Sequence, residues 1–368
     1  MKKHVFLLSA VVLALPLCAA AQSSVTLFGV IDAGYASLRS QGAGHNSGLV
    51  SGGSSTSRLG FRGTEQLGGG MSASFWLEGQ LNNDTGGGAT QTTGLDFSRR
   101  STVSLSGGFG EVRLGRDIVP TAYAHLMYDP TGNRGMIAID LSAATLGGVA
   151  MPSGAPLRNS NTVNYFLPAT LGGAYGQVQY AFGEKDSATT AVGGRRNGNY
   201  LGARGGYKSG PLDISAAYGE YAQLVRAGAA GDYRIANIGA SYDFGFIKPM
   251  GLFQRETMDS TGSAPKFAFN TFALGLSAPV GKGSVLLTLA KYDNKTAGSD
   301  NSYTKLGLGY VHSLSKRTAL YAQGAVLNNK GTGTMALNGM SSSVAVPSTG
   351  RTPGGRSTGY AIGIKHSF

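Results

Sequence analysis

The sequence predicts an all-β protein, a 16-stranded antiparallel transmembrane β-barrel whose long third loop folds into the lumen. Three observations predict it. Apolar and polar residues alternate with period two along most of the chain, which is the pattern of strands with one apolar and one polar face. Short Gly/Pro turns alternate with long polar loops, as they do when the two ends of a barrel carry different connections. An N-terminal export segment precedes a chain with 59 glycines in 368 residues and one cysteine, Cys18.

The export segment comes first. Lys2, Lys3 and His4 are basic, residues 5–15 are apolar, and Ala19-Ala20-Ala21 forms a small-residue cleavage site before Gln22. This is a secretory signal peptide over 1–21, which leaves a single barrel domain over 22–368. Its apolar core is shorter than the roughly 20 residues that a membrane-spanning helix needs. Leu17 is too bulky to precede a lipidated cysteine, so Cys18 is not an anchor. Cleavage removes Cys18, so no disulfide holds the mature chain. The glycine content would also suit low-complexity disorder, but 41% of residues are hydrophobic and the glycines sit within or between alternating segments.

The strands follow in order. In SRLGFRG, Leu59 and Phe61 oppose Arg58, Gly60 and Arg62; in RSTVSLS, Val103 and Leu105 oppose Arg100, Thr102 and Ser104. In EVRLGR, Val112 and Leu114 oppose Glu111, Arg113 and Gly115. Sixteen segments of this kind begin near Ser24, Ser57, Met71, Phe97, Gly110, Asn161, Gly173, Gly198, Leu212, Asp232, Pro249, Phe267, Gly283, Tyr303, Arg317 and Gly359. Tight turns fall at 65–70, 106–110, 208–211, 279–283 and 313–317; in the first four Gly and Pro supply the required backbone angles. Long loops are expected over 38–56, 82–96, 183–197, 257–266, 294–302 and 328–358. Residues 117–160 lack alternation. A stretch that long is expected to fold into the lumen and bury Ile137, Ile139 and Leu141 against the inner wall.

Parity assigns the charges. Arg58, Arg62, Arg100 and Arg113 oppose apolar neighbours and therefore face inward, since a basic residue at the bilayer midplane costs about 2–4 kcal/mol. Fixed positive charge in a narrow aqueous passage concentrates anions and repels cations. The net charge of +12 agrees with an anion preference. Pairing of these arginines with Glu78, Glu111 and acids of the long loop would weaken it. Glu78 shares its parity with Trp76, which places both inside. The 17 tyrosines and 15 phenylalanines are enough for aromatic girdles, with Tyr310, Tyr321 and Phe272 as candidates. At the end of the chain, Tyr360, Ile362, Ile364 and Phe368 share one parity and face lipid or a neighbouring subunit. That last strand must pair with the first, near residues 25–35, because an open edge cannot stay unsatisfied in lipid.

Catalysis finds little support. GRSTG at 355–359 matches a serine-hydrolase pattern, but it lies between a loop and a strand and not at a strand-to-helix elbow. His45, His125, His312 and His366 show no metal-ligand spacing. No enzyme activity, cofactor or metal is expected, and export argues against the nucleic-acid partner that a pI near 9.7 would otherwise suggest.

Several stretches then resemble a known family: SSVTLFGVIDAGY, SRLGFRGTEQLGGG, FSRRSTVSLSGGFGEVRLGR, YDPTG, LSKRTALYA and GIKHSF. In order and spacing they resemble the Gram-negative general diffusion porins of β-proteobacteria, from about Gln22 to Phe368. The resemblance implies a homotrimer in the outer membrane, in contact with lipid and lipopolysaccharide. It implies that wall arginines face acids of the third loop, here Asp117, Asp129 and Asp140, across a constriction. It also implies that the terminal aromatic strand is read by the outer-membrane barrel assembly machinery. Relatives often carry a basic residue where this chain has Asn164; Arg158 is the nearest replacement. The implied function is passive diffusion of small hydrophilic solutes, anionic or neutral. The alternative is an adhesin or surface receptor acting through the long extracellular loops.

Overall fold

Strand alternation closes into one continuous antiparallel sheet. The computed structural model describes residues 24–89, 94–143, 148–186, 192–259, 265–338, 340 and 344–368; the expected signal peptide over 1–21 and Cys18 lie outside them. The strands are β1 (Ser24–Ser40), β2 (Gly44–Ser51), β3 (Arg58–Gly68), β4 (Met71–Gln80), β5 (Arg100–Gly107), β6 (Gly110–Ile118), β7 (Val149–Ala150), β8 (Arg158–Phe166) and β9 (Ala174–Ala181). They continue as β10 (Tyr200–Ser209), β11 (Leu212–Arg226), β12 (Ala229–Tyr242), β13 (Lys248–Met258), β14 (Phe267–Val280), β15 (Gly283–Asn294), β16 (Tyr303–Ser313), β17 (Thr318–Asn329) and β18 (Arg356–Ser367).

Two of these are not separate wall strands. β3 pairs with the first half of β1 and β2 with the second half, so together they make one broken strand. β7 is a two-residue rung on the end of β11. The wall therefore has sixteen strands, and the largest displacement of a strand start from its expected position is three residues, as at Phe97 against Arg100.

One loop differs from expectation. Residues 38–56 are not a long loop, because β1 continues to Ser40 and turns through 41–43 into β2. The chain then leaves the ladder at 52–57 and folds inward, where the N–H groups of Gly53, Ser54 and Ser55 donate to the Asp32 carboxylate at 3.2, 2.8 and 2.6 Å. A buried carboxylate with three backbone donors explains why this break is built into the wall. Between β11 and β12 there is only a turn, through Ala227 and Gly228 at φ 50° and 79°.

The seam closes as the parity argument requires, but shifted along β1. β18 pairs with it from Val30↔Ser367 to Ser40↔Ser357, and Phe368 exchanges backbone hydrogen bonds of 3.1 Å in each direction with Gly29. The Phe368 ring lies over Gly29, where any Cβ would collide with it. Tyr360, Ile362, Ile364 and Phe368 are all exposed on the outer face. Phe368→Ser is expected to lower the yield of folded, heat-modifiable barrel severalfold while leaving the conductance of the channels that do form unchanged; gel mobility and bilayer recording read the two separately.

Outside, Ile238, Leu274, Leu289, Leu306, Leu308 and Ile362 stand exposed in a continuous apolar band that suits lipid. The core lies inside the barrel, between the third loop and one side of the wall. Tyr200, Tyr221, Tyr233, Phe267, Phe269, Tyr292 and Tyr303 are buried there with Tyr128, Met136, Ile137 and Ile139 of the loop. Phe272 faces outward as expected of a girdle residue, whereas Tyr321 does not. Tyr321 shares the inward parity of Gln323 and donates to Asp32 at 2.8 Å. Aromatic type alone does not set the face of a strand.

Candidate functional site

The third loop runs from Val119 to Leu157 and opens with a short 3₁₀ turn, Pro120–Ala122, and a single-turn helix α1, Tyr123–Met127. Small residues on the inner wall receive it. A Cβ at Gly307 would lie 2.5 Å from Ile137 Cβ, and one at Gly275 would lie 2.5 Å from Pro130 Cδ. Part of the glycine content is thus the groove in which the loop lies.

Polar anchors hold the loop there. Thr288 donates to the Ile137 carbonyl at 2.5 Å, and Asn237 donates to that of Thr121 at 2.8 Å. Glu256 accepts from Ser142, from the Ala143 N–H and from Tyr233. Asp140 pairs with Lys305 at 2.5 Å and accepts from Tyr303 at 3.0 Å. Each anchor satisfies a buried polar group that would otherwise be costly.

His125 bonds Gln254 at 2.9 Å, and burial pushes its imidazole down to about 4 from 6.5. The neutral ring is the form the docked loop favours. Its contribution is therefore complete above pH 6.5 and is lost as pH falls through about 4. Burial also pushes the Asp129 carboxyl up to about 6, so its contribution runs the other way and is lost as pH rises through 6. His125→Gln leaves Asp129 in place. Its single-channel conductance should match that of the native protein near neutral pH and be the less acid-sensitive of the two below pH 6.5.

These anchors correct the expected placement of the acids. Asp117 is not on the loop but near the end of β6, where it pairs with Arg113 at 2.5 Å and lies 3.9 Å from Arg100. Asp129 is spent on its own loop, accepting from the N–H and hydroxyl of Thr131 and the N–H of Ile139. Asp140 is spent on Lys305. None of the three stands as a free carboxylate opposite the arginines.

The basic wall is therefore lightly countered. Glu78 of β4 pairs with Arg99 at 2.6 Å and lies 3.9 Å from Arg58. Arg113 also binds Glu111 at 2.7 Å. Arg62 makes no ion pair among the described residues and sits 5.2 Å from the Trp76 ring and 5.3 Å from that of Phe28. Arg158 is buried within the field of Arg99 and Arg134, and its Nε has no hydrogen-bond partner among the described residues. Asn164 is fully buried on the inner face of β8 in a network with Thr162, Gln177 and Gln179 and adds no charge to the wall.

Four cations escaped the parity reading. Arg99 precedes β5, where the ladder has ended and period two no longer applies. Arg134 lies on the loop, and burial followed by the charges of Arg99 and Arg58 pushes it down to about 10. Arg204 of β10 lies 4.1 Å over Tyr123 and 4.9 Å over Tyr175. Its inward parity, and that of Lys305 between Leu306 and its neighbours, was present in the pattern.

The geometry defines a class: an outer-membrane β-barrel channel, apolar outside, charged inside and narrowed by a loop docked on one wall. Comparison places it further. The family profile of the Gram-negative porins matches residues 8–332, and the chain belongs to that family. It is 42% identical to outer membrane porin protein 32 of Delftia acidovorans over 100% of both chains. It is 30% identical to an outer membrane porin protein of Bordetella pertussis over 84% of this chain and 90% of the other. The solved anion-selective porin from Comamonas acidovorans superposes with a TM-score of 0.85 at 40% identity, covering 94% of this chain and 100% of that one.

Proposed function

We propose that this porin passes small hydrophilic solutes by passive diffusion and prefers anions. The observation that carries the reading is the charge imbalance inside the barrel. Arg58, Arg62, Arg99, Arg100, Arg113, Arg134, Arg158 and Arg204 are opposed near the wall by Glu78, Glu111 and Asp117. The other inner acids, Asp32, Asp129, Asp140, Asp213 and Glu256, are each engaged by hydrogen bonds that fasten a loop or the wall. The excess guanidinium charge raises the local anion concentration. The solved relative described as anion-selective supports the same reading.

Planar-bilayer recording in a KCl gradient tests it. A zero-current potential of the sign set by chloride is expected, and a potassium-type sign would overturn the preference. The chain works as a homotrimer without catalytic activity, and residues 1–21 are removed on export; native mass measurement of the extracted protein reads both the subunit number and the mature mass. Solutes are small anions and neutral molecules, and lipid, lipopolysaccharide and the assembly machinery are the remaining partners.

A further inference from the structure

Below the main arginine group, the inner wall carries an apolar patch that a water-filled passage does not need. Phe28 of β1 and Trp76 of β4, the only tryptophan in the chain, meet edge to face with ring centroids 5.0 Å apart. The wall is recessed to seat them: a Cβ at Gly60 would collide with the Phe28 ring. Both rings are partly exposed.

Cations frame the patch. Arg62 is exposed, stands over both rings and has no acid partner among the described residues. The Arg100 guanidinium lies 4.6 Å from the Trp76 ring. The indole N–H donates to Glu78 at 3.2 Å, which fixes the ring plane. Two planar apolar surfaces beside two guanidiniums complement a ligand that is itself planar, apolar and anionic.

We propose that Phe28, Trp76, Arg62 and Arg100 form a binding subsite for aromatic carboxylates on the permeation path. The ring of the solute packs against Phe28 and Trp76, and its carboxylate is held by the two guanidiniums. The subsite rests on the pore reading but is separable from it, because a pore that passes chloride could lack it entirely.

The test compares benzoate with cyclohexanecarboxylate, which carry the same charge but differ in ring planarity. In bilayers, KCl conductance first establishes that a channel is present; its absence in the native protein would refute the pore and not merely the subsite. The native channel is expected to pass or bind benzoate at least about threefold better, the scale of one aromatic contact. Trp76→Leu and Phe28→Leu are each expected to bring the ratio close to one. Equal behaviour of the two solutes in the native channel would overturn the proposal, as would a preference that survives both substitutions. If Trp76→Leu fails to insert, Phe28→Leu gives the same reading, while Arg62→Gln is expected to weaken both solutes and leave their ratio unchanged.

Discussion

Replacing Arg58, Arg99, Arg134 and Arg158 together by glutamine is expected to lower the anion-to-cation permeability ratio by roughly tenfold or more and to move the zero-current potential toward the potassium value. These four share one electrostatic neighbourhood with Glu78, which is the only acid that Arg58 and Arg99 contact among the described residues. Removing them leaves Glu78 as an uncompensated negative charge at the same level. A unit charge about 5 Å from a passing ion contributes about 0.8 kcal/mol even at the dielectric constant of water. Screening trims each contribution, but four removed together exceed the roughly 1.4 kcal/mol of a tenfold change. The shift should shrink as salt rises, because the wide parts of the passage are screened first. A potential that stays at the chloride sign would mean that Arg62, Arg100, Arg113 and Arg204 set the selectivity, and the preference would then belong to the lower wall.

The same four residues show what the sequence makes legible. Arg58 could be read because it lies inside a paired strand, where period two holds and an outward charge would meet lipid. Arg99 and Arg134 could not, because they stand where the ladder stops and the direction of a side chain depends on tertiary contacts. Arg158 was reached only as a substitute for the residue missing at Asn164. Near it β8 is bulged, with Asn161 at φ 57° and the register slipping between Gly115 and Asp117 of its neighbour. One extra residue reverses the facing of everything beyond it. The loop acids failed for a different reason. A sequence shows that Asp129 and Asp140 are acidic, but not that backbone N–H groups and Lys305 have already claimed them. Strand number and the closing seam were legible because they follow from alternation and from the rule that no edge remains open in lipid.

Gly307→Val is expected to have the largest effect on conductance. The groove that receives the third loop has no room at this position: the new Cβ would lie 2.5 Å from Ile137 Cβ and 2.9 Å from Ile137 Cα. The second of these is main chain, so no rotamer change relieves the contact. The wall strand cannot retreat either, since β16 is bonded on both sides to β15 and β17. The loop must therefore give way, and overpacking of this kind costs about 1–3 kcal/mol. That is comparable to the hydrogen bond from Thr288 to the Ile137 carbonyl together with the neighbouring Asp140–Lys305 pair, both of which lie within a few residues of the clash. Once these yield, the loop segment around 137–140 swings toward the basic wall or into solvent. The two outcomes differ in sign: a segment pushed across the passage lowers single-channel conductance, whereas one released from the lumen raises it. Release is expected, because the remaining anchors at Thr121, His125 and Ser142 lie along the same side of the wall and hold the rest of the loop away from the arginines. Conductance should thus rise, anion preference should fall as the passage widens, and the barrel should remain folded in detergent, since the ladder between β15, β16 and β17 is kept. Unchanged conductance with a destabilised barrel would mean that the wall yields and the loop does not, and that the loop is held more firmly than its anchors indicate.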